Sequence, residues 1–160
     1  MTNHLFRKYR EAHKLFILRI KMGFLDAMNI DEGVAPTTVP GGAEYQLRII
    51  DVREDDAYDD RMPRDKNGNP YLLPRFEIMG EPTAKPFTKY LGLPNDSMDA
   101  GKANSARYGM QLFLDTFGLN ADSLANPSDM VGAEGWAILG LEESDLWGEQ
   151  NFIKKLIAPK

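Results

Sequence analysis

The side chains with chemistry to offer are cations interleaved with rings. Arg48, Arg53, Arg61, Arg64 and Lys66 fall on one strand-like run and the loop after it. Tyr71, Leu73 and Arg75 alternate along the next run, and Phe87 and Lys89 along a third. Trp147 stands in a late loop, with Lys154 and Lys155 shortly after it. Cations at such spacings can follow a line of phosphates, while the rings between them stack bases for about 1–3 kcal/mol each. On this reading Arg48, Arg64, Lys66, Arg75, Lys89 and Lys154 contact phosphates, and Tyr71, Phe87 and Trp147 stack bases. The plainer reading of the same residues is a core of rings with a solvated rim of cations.

Other chemistries find less support. Asp51, Glu54, Asp55, Asp56, Asp59 and Asp60 form an acidic run that could hold Mg²⁺ or Ca²⁺ through hard oxygen ligands. The run lacks the spacing of a calcium-binding loop, and no second carboxylate cluster lies along the chain for a two-metal site. A solvated acidic loop is the reading adopted there, and again for Glu142, Glu143 and Asp145. A metal-dependent hydrolase using Asp55, Asp56, Asp59 and Asp60 ranks third among the functions. The two histidines, His4 and His13, both lie near the N-terminus, so a catalytic triad or histidine-metal site lacks an imidazole elsewhere. There is no cysteine, which excludes disulfides, thiolate ligation and a cysteine nucleophile. Gly41-Gly42 follows a linker-like stretch instead of a strand, and no phosphate-binding glycine fingerprint is present. No enzyme activity, metal or cofactor is therefore expected.

Charge is unevenly spread. The net charge is −5, yet residues 1–21 hold six cations against Glu11 alone, a local +5 that leaves −10 on the remaining 139 residues. An acidic body disfavours indiscriminate polyanion binding, so a nucleic-acid role must rest on a local basic path. Apolar residues make up 42% of the chain, enough for an ordinary core. Leu15-Phe16-Ile17-Leu18 is too short an apolar stretch for a signal peptide or a membrane span, and a cytoplasmic setting without membrane contact is expected.

The elements that must position these side chains follow from periodicity. Residues 1–28 read as a basic arm in which Phe6, Tyr9, His13, Phe16 and Ile20 mark one face of an amphipathic helix over 4–25. That helix is expected to dock on the domain or to join copies of the chain. Residues 29–42, rich in proline and glycine, read as a linker before a domain at 43–160. Strand-like runs follow at 44–52, 70–79 and 85–91, then a helix near 101–117, then strands at 135–141 and 151–157. Pro74 predicts a bulge or an edge in the second strand. This β-β-β-α-β-β order predicts a mainly β, OB-fold-like barrel of five strands with Greek-key connections and a helix between strands 3 and 4.

From this point the chain resembles bacteriophage OB-fold proteins that bind single-stranded DNA. The likeness covers about residues 42–157 and leaves the basic arm outside. It rests on Gly42-Ala43-Glu44-Tyr45-Gln46-Leu47-Arg48-Ile49, on Asn67-Gly68-Asn69-Pro70-Tyr71-Leu72 leading into Phe76-Glu77-Ile78, and on Leu112-Phe113-Leu114-Asp115-Thr116-Phe117-Gly118-Leu119. Met130-Val131-Gly132 and Asn151-Phe152-Ile153-Lys154-Lys155 complete it. The resemblance implies coating of single-stranded DNA without sequence preference during replication or recombination, without cofactor or catalysis. It also implies replication proteins as partners, in the cytoplasm of a host bacterium. The alternative is an OB-like interaction module that assembles through its N-terminal helix.

Overall fold

The computed structural model describes residues 33–159 and, before them, only Lys8, Arg10 and Glu11, which are helical. The rest of the expected N-terminal helix lies outside the described residues. The chain divides into two units between Ala35 and Pro36, and the larger one carries the sheet.

Alternation of apolar and polar residues builds β1 (Glu44–Val52), which buries Leu47, Ile49 and Val52. A register shift between Ile49 and Asp51 inserts one residue, so that Val52 returns to the core while Asp51 stays exposed. β1 is the central strand. Its first half pairs with β6 (Glu134–Ser144) and its second half with β3 (Pro74–Ile78), both antiparallel. With β4 (Phe87–Thr88) and β7 (Gly148–Ile157) they form a five-stranded antiparallel sheet in the order β4-β3-β1-β6-β7. The molecule is thus mainly β, as its sequence predicts.

The run expected as a single strand over 70–79 is divided. β2 (Tyr71–Leu72) pairs with β5 (Leu91–Gly92) in a separate two-stranded ladder, while β3 begins at Pro74. Pro74 has no N–H to donate, and Leu73 turns its carbonyl to the Arg53 amide instead. The two ladders nevertheless keep a common register, Arg75 facing Thr88 and Leu72 facing Leu91.

Helix α1 (Ala100–Thr116) starts at Asp99, whose carboxylate accepts the Lys102 amide at 2.8 Å. Its buried face carries Ala103, Met110, Phe113 and Leu114, and Gly118 (φ 64°) ends it. Rings then run through the core in contact: Phe113 to Phe117 at 5.1 Å, Phe117 to Phe76 at 5.4 Å, and Phe76 to Phe87 at 5.5 Å between centroids.

The end of α1 packs on β6 where a side chain has no room. A Cβ at Gly135 would sit 2.7 Å from the Thr116 carbonyl oxygen and 3.0 Å from the Phe117 ring. Gly135→Ala is therefore expected to cost about 2 kcal/mol through overpacking, read as a lower midpoint in urea unfolding with an unchanged slope.

Residues 36–42, expected as linker, belong to the folded unit. The Thr37 amide donates to the Thr83 carbonyl, and the Lys85 amide to the Thr37 carbonyl. Val39 is buried, and the Asn151 side chain accepts its N–H and donates to its carbonyl, both at 2.9 Å. The Thr38 hydroxyl donates to Glu149, and the Gly42 amide to the Leu139 carbonyl. This strap therefore ties the lead-in to β4 to β7. Among the described residues no ladder joins β4 directly to β7, so the sheet is not closed into a barrel by strand pairing.

Candidate nucleic-acid interface

The common register of β2-β5 and β3-β4 sets one row of side chains outward. Tyr71, Leu73 and Arg75 lie on alternate positions of one run, and Thr88 and Tyr90 on alternate positions of the other. Tyr71 and Tyr90 pack with ring centroids 4.8 Å apart at 33°, and Tyr90 is 55% exposed. Gly92 opposite Tyr71 contributes no side chain to crowd the pair. Partial burial, with Asp65 and Tyr71 adding, pushes the Tyr90 phenol above its usual value, so the ring stays neutral at physiological pH.

Beside this row lies an open cleft of about 510 Å³, in which Arg53 and Arg75 are matched by the carboxylates Asp51 and Glu54, with Leu73, Thr88 and Val131 completing the wall. Glu54 Oε1 is buried there without a hydrogen-bond partner among the described residues. Lys66 is exposed in the turn beyond, whose geometry Asp65 holds by accepting the Asn67 and Asn69 amides.

Several expected site residues have other work. Phe87 is 4% exposed and packed on Phe76, so its ring offers no face for a base. The alternation of that run has the opposite sense to the one expected: Phe87 points in, and Thr88 and Tyr90 point out. Arg48 lies between Glu77 at 3.0 Å and Glu134 at 3.1 Å, its charge answered from both neighbouring strands. Arg64 donates to Asp60 at 2.7 Å and stands 4.4 Å from the Tyr58 ring centroid. That hydrogen bond, with the Met62 amide adding, holds the Asp60 carboxyl below its usual value, and it raises Arg64. Both cations are available to phosphates only by giving up these partners.

Lys154 and Trp147 belong to the β6-β7 hairpin and not to the row that carries the tyrosine pair. Lys154 is the exposed extra residue at a register shift in the β6-β7 ladder, on edge strand β7. Trp147 is 70% exposed at the tip of the β6-β7 hairpin beside Leu146 at 85%, flanked by Glu142, Glu143, Asp145 and Glu149. Those carboxylates repel phosphate. The fold therefore brings together Tyr71 and Arg75, with Lys66 in the turn beyond, and it adds Tyr90, Arg53 and Glu54; Lys89, half-buried, falls on the side of Phe87 and not on the outward row. Tyr90 was legible in principle, since it alternates with Thr88; Arg53 and Glu54 join only through the loop's path.

Among the described residues no three of His, Cys, Asp or Glu gather closely enough to hold a metal ion. Asp55 and Asp60 instead cap turns, accepting the Ala57 and Met62 amides. No helix among the described residues is long and apolar enough to cross a membrane. The chain matches no protein-family model and no curated protein.

Proposed function

We propose that this protein binds single-stranded DNA without sequence preference, on the outward row of β2, β3, β4 and β5. The observation that carries the reading is the Tyr71–Tyr90 pair, Tyr90 exposed and Tyr71 half-buried, beside Arg75 and the cleft that Arg53 lines. Two rings offer stacking faces to successive bases, and Arg53, Lys66 and Arg75 are cations in no ion pair among the described residues. The finer fold proposed is a partly open OB-type barrel. Supporting it are the central β1, the sheet order, the helix before β6, and edge strands β4 and β7 approaching within 8 Å between Cα atoms. On this reading the protein acts without catalysis or cofactor in phage replication or recombination, in the host cytoplasm, alongside replication proteins. Self-association through the N-terminal helix belongs to the same proposal.

Anisotropy titration of labelled oligo-dT over a salt series, with duplex DNA as competitor, tests the reading. Single-strand binding should resist the duplex and weaken with salt. The logarithmic slope should be about −2, for three phosphates at about −0.7 each. Absence of binding even at low salt would discard the DNA function. The second reading, a protein-interaction module, would then lead, and the exposed Leu146–Trp147 tip in its acidic setting favours it.

A further inference from the structure

A second cleft, of about 530 Å³, opens beside the start of β6, and whereas the first mixes two carboxylates with two arginines, the charged residues lining this one are both carboxylates. Trp136 lines it, 47% exposed, and its cross-strand neighbours are Gln46 on β1 and Ile157 on β7. Glu44 and Glu134 supply two carboxylates. Glu134 is answered by Arg48, but Glu44 has no ion-pair partner among the described residues. Thr116 also lines the cleft as the last residue of α1, whose final turn carries no cation to offset the negative end of the helix. Among the described residues no lysine or arginine lines it. A large ring face within a negative surround attracts a cation and repels phosphate.

We propose that this cleft receives a cationic side chain, the guanidinium or ammonium group of an arginine or lysine on a partner polypeptide. The charged group lies over the Trp136 ring within reach of Glu44, and Ile157 and Pro159 pack its aliphatic stem. A polypeptide is favoured over a free cation because the apolar half of the cleft has use only for a ligand with a hydrocarbon stem. The proposal stands apart from the DNA reading, being on other residues.

Trp136 and Trp147 are the chain's two tryptophans, so Trp147→Phe leaves the full chain with a single reporter in the cleft. Titrating that variant with tetra-arginine amide should change its emission saturably, whereas the uncharged citrulline analogue should not. In the same background Glu44→Gln should weaken binding about threefold. Followed by anisotropy of the labelled peptide, Trp136→Ala should weaken it about tenfold while the fold is retained by circular dichroism. A flat titration, or equal peptide affinity in both variants, would overturn the proposal and leave only general attraction to an acidic surface. Oligo-dT binding is read separately on the same variants, so failure of either idea is visible without the other.

Discussion

Asn151→Leu should lower the unfolding free energy by about 3 kcal/mol, the largest stability loss expected from any single polar side chain here. Asn151 is 3% exposed and makes three hydrogen bonds, to the Val39 N–H, the Val39 carbonyl and the Gly140 carbonyl. Leucine has similar volume, so the change tests polar satisfaction more than packing. It would leave a buried amide and two carbonyls unpaired, each costing about 1–3 kcal/mol unless water enters. The same bonds hold the strap at 37–39, so Val39 should lose its burial as well. Urea unfolding gives the free energy, and hydrogen exchange should show faster exchange of the Val39 and Lys85 amides. If both stay protected and the midpoint does not move, the strap is held by something other than Asn151.

The largest functional effect is expected of Tyr71→Ala combined with Tyr90→Ala. If each ring stacks a base for about 1–3 kcal/mol, the double variant should bind oligo-dT about thirtyfold to ten-thousandfold more weakly. The salt slope should barely change, because no phosphate contact is lost. Arg75→Ala should behave in the opposite way, with a shallower slope and a modest loss. Trp147→Ala should leave affinity within about twofold, since its hairpin tip is lined with carboxylates. Equal losses for Trp147→Ala and the tyrosine pair would relocate the interface to the hairpin. Unaltered affinity in the tyrosine variant would remove the proposed face.

Much of the sheet could be read from residue order. The run at 44–52 coincides with β1, and Asp99 and Gly118 mark the two ends of α1 as capping chemistry predicts. The last two strands extend beyond the apolar runs at 135–141 and 151–157, because their ladder continues through Glu142, Glu143, Glu149 and Gln150. Hairpin pairing there is a backbone matter, to which hydropathy is blind. The candidate site was harder to read. Phe87 and Tyr90 are both aromatic and lie on opposite sides of one short run, so alternation alone leaves the inward side undecided.

Residue order alone sets the kind and succession of the elements. Period-2 alternation, a helical apolar face and proline or glycine breaks are local signals, carried by neighbours in the chain. Which cations keep a free charge depends on contacts between segments far apart in the chain. Arg48 loses its availability to Glu77 and Glu134, which are 29 and 86 positions away, and Asn151 reaches back 112 positions to Val39. Such partners meet because strand register joins distant segments, and no local pattern encodes which carboxylate will stand beside which guanidinium. The pairing of Tyr71 with Tyr90 has the same origin: Pro74 breaks a ladder without shifting its register, and two rings distant in sequence come to share one outward row.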